Sequence, residues 1–291
     1  MTLADFVNLL INGTVEGLLM ALPALALTLV MAIARFPNAA TGDYMTVSAY
    51  AAVGVQWLIP GSLLLAAVGA IAAGVAVSLL FYLWVFRALR GRPLVASLVA
   101  SIGVAFFARS ILTFSVGQDQ LALQVPMMRA WNFSGIRVLP LDLVVAAVSI
   151  VAMALLFTLL RLTPIGRQMR AVADNPDLAR ASGIRANRVL LVLWAVVGAL
   201  CALGGFLFGA KSVVSPELGW EQLIPAFAAM ILGGIGSPAG AVAGAVLLGI
   251  AQELSVPLVG PSYKIAVAFA VLLLVLLVRP RGLFGVAIAA R

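Results

Sequence analysis

The sequence predicts an all-α fold: a polytopic bundle of membrane-crossing helices forming one domain over 1–291. Three observations point that way. First, 64% of the 291 residues are apolar and only 10% are charged. Second, runs of about 20 apolar residues recur along the whole chain, each long enough to cross a bilayer. Third, the polar interruptions between these runs differ in charge, with arginine gathered in some connectors and depleted from others. Inside a bilayer the backbone must satisfy its own polar groups, which helices do within one segment.

Nine apolar segments follow from the pattern, over 6–34, 45–59, 63–86, 94–116, 141–160, 189–210, 223–232, 239–254 and 265–278. No basic residue precedes the first, so it is expected to remain as a membrane helix. The segment 223–232 is short for a full crossing and can be read as a half-helix breaking at Gly233-Gly-Ile-Gly-Ser-Pro238. Counting it as a crossing keeps the arginine-rich connectors together on one side. That side holds Arg35, the cluster Arg87, Arg90 and Arg92, the loop from Arg161 to Arg188, and Arg279, Arg281 and Arg291. It carries 13 basic residues against three acidic ones, Asp43, Asp174 and Asp177. The asymmetry predicts that this side faces the cytoplasm and that the N-terminus lies outside. Small residues four apart, at Gly69/Ala73, Gly198/Ala202, Gly240/Gly244 and Ala245/Gly249, suit close helix contact in an apolar medium.

The longest polar interruption, 163–188, is the most informative. A 64% apolar chain has little use for it unless something outside the membrane grips it. Asn175 is a good N-cap, Pro176 fits the first helical position, and Asp177 suits the positive end of the helix dipole. Gly183 suits the left-handed residue that closes a helix. A helix of about two turns, roughly 10 Å long, is expected on the membrane surface.

Charges inside the spans are costly and mark candidate sites. Glu16 and Arg109 are two such charges, both in the outer half by position along their segments; they either pair or reach separate polar groups. The stretch Arg35-Phe-Pro-Asn-Ala-Ala-Thr-Gly-Asp-Tyr-Met-Thr46 breaks the helical pattern, and it either lines a water-filled path or simply connects two spans. Gly233–Gly240 carries the same two readings. Two look-alikes are set aside. Gly204-Gly-Phe-Leu-Phe-Gly-Ala-Lys-Ser212 nearly spells a phosphate loop, and Gly234-Ile-Gly-Ser-Pro-Ala239 a dinucleotide turn, but neither follows a strand. No catalytic residues, metal site or bound cofactor are expected: histidine is absent, and the single Cys201 reads as a buried packing residue. Any ATP that drives the protein must be bound by another subunit.

Together these residues resemble the Liv-type permease subunits of bacterial ABC importers for branched-chain amino acids. The most specific part is Gly166-Arg-Gln-Met-Arg-Ala-Val-Ala-Asp-Asn-Pro-Asp-Leu-Ala-Arg-Ala-Ser-Gly-Ile184, which is similar to the family's cytoplasmic coupling segment. Ile231-Leu-Gly-Gly-Ile-Gly-Ser-Pro-Ala-Gly-Ala241 and Arg279-Pro-Arg-Gly-Leu-Phe-Gly285 also resemble it. After the first span the family usually reads Asn-Phe-Ala-His-Gly-Glu. Here the stretch is Asn38-Ala-Ala-Thr-Gly-Asp43, without the aromatic and the histidine.

The resemblance implies an inner-membrane permease working with a second permease (a diverged sister), two cytoplasmic ATPases and a periplasmic binding protein. It implies ATPase coupling through Gly166, Arg167, Arg170, Asn175, Pro176, Asp177, Ala179 and Gly183. Asn38, Gly42, Asp43, Arg109 and Glu16 are the pathway candidates. Branched-chain or other amino acids are the expected solutes, with urea, short amides and other small compounds as alternatives within the family. A self-contained secondary transporter would instead need ion-coupling carboxylates near the midplane, and Glu16 alone answers that description. A scaffold without transport is the remaining rival.

Overall fold

The computed structural model describes residues 3–126, 129–133, 135–279 and 282–284. In chain order the helices are α1 (Leu3–Leu29, continued by a π-helical turn Val30–Ala34), α2 (Thr41–Leu58) and α3 (Leu63–Phe81, continued by a π-helical turn Tyr82–Phe86). Next come α4 (Leu94–Val116), a hairpin of β1 (Trp131–Phe133) and β2 (Ile136–Val138), and α5 (Pro140–Leu162). The polar interruption forms α6 (Pro164–Asp174) and α7 (Pro176–Ala181). The chain then continues with α8 (Ala186–Lys211), α9 (Leu218–Gly233), α10 (Pro238–Val259) and α11 (Lys264–Val278).

Each of the nine expected segments is a helix. Among the described residues, seven helices are long and apolar enough to cross a membrane. Of the remaining two, α9 is apolar but only 16 residues long. The other, α2, has 18 residues but is rich in Thr, Ser, Tyr and Gln, and it buries polar side chains. The count of nine is therefore approximate. Arg281 and Arg291 lie outside the described residues, as do Pro280 and Gly285 of the last family-like motif.

Contacts divide the chain into two compact units, one of Leu29–Val125 with Val151–Leu223, the other of Met1–Thr28, Pro126–Ile150 and Ile224–Arg291. In the first, α2, α3 and α8 pack through small residues. A Cβ on Gly74 would lie 2.7 Å from the Cβ of Ala202 and 2.8 Å from the carbonyl of Gly198. The Gly198/Ala202 pair thus does what its spacing suggests: it lets α8 approach α3 closely enough for dispersion forces to hold them. Cys201 is fully buried on the same helix. At one end of this unit Trp194 stacks on Phe86 (4.7 Å between ring centres) and Tyr82 (5.6 Å), and Phe36 closes the cluster.

In the second unit, Gly13 and Gly17 of α1 face Gly249 and Ala245 of α10 at backbone distance. Asn8 ties α1 to the hairpin, accepting from the Arg137 amide (2.9 Å) and donating to the Gly135 carbonyl (3.2 Å). The glycine stretch between α9 and α10 is a tight turn. Gly234 and Gly236 take positive φ (107° and 87°), Ser237 caps α10 by accepting from Gly240, and Pro238 opens the helix. Residues 282–284 fold onto this turn, where the amides of Leu283 and Phe284 donate to the carbonyls of Leu232 (2.8 Å) and Gly233 (3.0 Å). Two stretches read separately as family-like are therefore one packed feature.

The tightest contact in the first unit joins the starts of α2 and α9. A Cβ on Gly219 would lie 1.8 Å from the Gly42 carbonyl, and the Gly219 amide donates to Thr46 Oγ1 at 3.0 Å. Gly219→Ala must push two backbones apart, an overpacking cost of about 1–3 kcal/mol. Gly54→Ala, at a helical site with nothing within 4 Å, is the control and should be neutral or stabilising. Thermal unfolding in detergent should show a lower midpoint for Gly219→Ala only; equal midpoints would contradict this packing.

Candidate functional site

The site begins where helix α1 stops. Pro37 cannot continue the helix, and Arg35 takes a left-handed conformation (φ 63°), the one non-glycine residue to do so among those described. Such a conformation persists only when its surroundings hold it there. Here the Arg35 guanidinium donates to the carbonyls of Ala173 (3.0 Å) and Asp174 (3.5 Å), the last residues of α6. A cation at a helix C-terminus meets orphan carbonyls and the negative end of the dipole.

From Arg35 the chain runs back into the protein without helix. Phe36 enters the Trp194 cluster, and the Ala39 amide donates to Ser101 Oγ at 3.1 Å. Asn38 Oδ1 accepts from the Ala40 amide, but its Nδ2 is buried without a partner. The Thr41 hydroxyl is equally buried and unpartnered, while the buried Tyr44 hydroxyl lies against the Asn38 side chain. Unsatisfied buried polar groups each cost about 1–3 kcal/mol, so this stretch is held at a cost.

Asp43, in the first turn of α2, is 1% exposed. Its carboxylate receives two hydrogen bonds from Arg109 of α4, Nε to Oδ1 at 3.0 Å and Nη2 to Oδ2 at 3.4 Å. The Arg109 guanidinium also lies over the rings of Trp220 (5.1 Å) and Phe106 (5.7 Å). Sequence reading grouped Asp43 with the arginine-rich connectors and left open whether Arg109 pairs with Glu16 or reaches separate polar groups. The structure pairs Arg109 with Asp43, which is not at a connector. Arg109 sits about 10 Å in from the α4 end at Val116. Met45 meets Gly205, which is about 9 Å in from the α8 end at Lys211. Asp43 therefore lies deep in the bundle, at the level of Arg109, because the 35–40 stretch carries α2's start inward.

The second part of the site is the α6–α7 pair. Thr163 caps α6 by accepting from the Gly166 amide (3.1 Å), and Pro164 opens it. Gly166 packs on the end of α5; a Cβ there would meet the Leu159 carbonyl at 2.2 Å. Arg170 donates to the Leu160 carbonyl, closing the α5 terminus. Gly166, Met169 and Val172 form the buried face of α6. Asn175 then caps α7, accepting from the amides of Asp177 (3.1 Å) and Leu178 (3.0 Å), with Pro176 in first position. Ala179 is buried, Gly183 has φ 80°, and Asp177 pairs with Arg180 on an exposed face beside Leu178. The expected caps are all in place. The helix itself, at six residues, is about 9 Å long, close to the length expected. Arg167 lies on the exposed side.

Residues 9–276 match the family described as the branched-chain amino acid transport system permease component. The chain belongs to this family. It is 32% identical over 295 residues to the high-affinity branched-chain amino acid transport system permease protein LivH of Escherichia coli K12, covering 96% of each chain. Similarity to BraD of Pseudomonas aeruginosa, a permease protein of the same description, is 30% over 296 residues, again covering 96% of both. Among solved structures, PsaBC from Streptococcus pneumoniae in complex with Fab shares the fold. Its TM-score is 0.53 at 14% identity, covering 96% of this chain and 97% of that one.

The protein is thus a multi-pass permease subunit of an ABC importer, which works with ATPase and other subunits. For a permease of this family, sequence reading found the α7 caps but missed Trp220, Ser101 and Arg35's bond to α6. The signals present were an arginine immediately before a proline break, and a tryptophan in the first turn of a short helix. Neither names its partner.

Removing one member of a buried charge pair strands the other, at about 3–5 kcal/mol. Arg109→Gln and Asp43→Asn should each lower the unfolding midpoint in detergent, and the neutral double variant should recover most of that loss. Additive losses would break the pairing.

Proposed function

We propose that the protein forms half of a translocation pathway for amino acids, branched-chain ones first, as the names of its relatives suggest. The observation that carries the mechanism is the bond from Arg35 to the C-terminus of α6. It gives a force applied at α7 a rigid route to the stretch that positions Asp43 and Arg109. A diverged sister permease supplies the other half of the pathway. Two cytoplasmic ATPases dock on the α7 segments and bind the ATP, and a periplasmic binding protein delivers solute. The arginine-rich side then faces the cytoplasm, with the N-terminus periplasmic and the C-terminus cytoplasmic, in the inner membrane.

In this mechanism the permease holds no catalytic residue. Nucleotide and delivered solute must each favour a different conformation, because a ligand shifts an equilibrium only by its differential affinity for the two states. Leu178, 65% exposed between Asp177 and Arg180, is the contact an ATPase would grip. Gly166, Arg170, Asn175, Pro176, Ala179 and Gly183 keep that contact stiff by capping and packing rather than by touching the motor. Arg167, exposed on α6, can reach the same partner.

The test is uptake by the complete complex in proteoliposomes, with ATP hydrolysis measured in parallel. Replacing Asp177 and Leu178 with Ala should leave hydrolysis running while amino-acid uptake falls at least about tenfold, a loss of roughly 1.4 kcal/mol or more of coupling. Uptake equal to wild type would refute docking at α7. Transport by this subunit alone under an ion gradient would refute the importer reading.

A further inference from the structure

A cavity of about 720 Å³ opens between the α4 end near Val116 and the start of α9, and nothing in the family match assigns it a ligand. Its lining mixes both signs of charge. Arg109 forms part of its wall, while Glu217 and Glu221 stand one helical turn apart on the facing segment. Ser110, Thr113 and Gln120 add neutral hydrogen-bonding groups. Arg109 is prepared for a ligand in an unusual way. Asp43 holds its Nε and Nη2 on one edge, and Trp220 and Phe106 lie against its faces. Only 14% of the side chain is exposed, so a protein surface cannot engage it, yet Arg109 lines the cavity.

We propose that this cavity is a charge-reading site for zwitterionic solutes, resting on the amino-acid reading above. The solute carboxylate meets Arg109, and its ammonium group meets Glu217 and Glu221. Asp43 and Arg109 cancel each other, so the two glutamates are the excess charge and the ammonium end is read more strongly. A neutral amide would have to displace water from these charges without replacing it, and an anion would be repelled by both carboxylates. The permease therefore filters again what the delivering protein has already selected.

The experiment uses the whole importer in proteoliposomes, with leucine as the zwitterionic probe and acetamide as the neutral one. Glu217 and Glu221 are exposed, so Glu217→Gln/Glu221→Gln leaves the Asp43–Arg109 packing alone. Asp119→Asn, an exposed carboxylate of the same region outside the cavity lining, controls for general charge. At saturating binding protein, the double variant should take up leucine at least about tenfold more slowly and Asp119→Asn should match wild type. Unchanged leucine uptake in the double variant would overturn the proposal. So would a several-fold rise in the half-saturating concentration of binding protein with the maximal rate preserved, since the glutamates would then be docking that protein. ATP-driven uptake of acetamide but not leucine by wild type would also overturn it while leaving the importer reading intact. No ATP-driven uptake of either would instead defeat the amino-acid reading on which this proposal rests.

Discussion

A carboxylate with 1% of its side chain exposed cannot keep its charge in an apolar bundle without a cation beside it, and Asp43 has Arg109. Much of the first compact unit is arranged around that pair. Asp43 occupies its place because the chain re-enters after Arg35, so that α2 starts inside the bundle instead of at its edge. The start of α9 closes over the same point, with Gly219 against Gly42 and Trp220 over the guanidinium. Losing either charge would leave the other buried and the break at 35–40 without an anchor at its inner end.

The same non-helical stretch is anchored at its outer end by Arg35. A strained left-handed residue, hydrogen-bonded to the end of α6, leads within one residue into the Trp194 aromatic cluster. Helical segments packed through Gly74, Gly198 and Gly205 have little freedom to slide sideways, because backbone already touches backbone. A stretch bound at both ends between such rigid bodies, and carrying poorly satisfied buried polar groups at 38–44, has reason to hold two arrangements. On the proposed mechanism, this stretch links an event at α7 to one beside Arg109.

Much of this was legible in the residues. The apolar runs gave the helices, since their lengths are set by the bilayer. Asn175, Pro176 and Gly183 gave the caps of α7, because capping is local chemistry read from adjacent positions. What was not legible depended on distance along the chain. Asp43 and Arg109 are 66 residues apart, and charge counting assigned Asp43 to a connector because it assumes that connectors stay outside. Helix α6 was missed although its buried face of Gly166, Met169 and Val172 is well segregated from its polar residues, because the stretch was read as one polar loop around α7. Gly42 was read as a pathway candidate from its motif alone; its close approach to α9, which leaves no room for a side chain, was not legible in the residues.

The central claim is that movement of α7 reaches Arg109 through Arg35. Spin labels at Ser182→Cys and Gln118→Cys, in a Cys201→Ser background, would report the distance across the first unit by pulsed electron resonance. In the complete complex, ATP should change that distance, and Arg35→Ala should abolish the change while ATP is still bound. A nucleotide-dependent change of the same size without Arg35 would contradict the account.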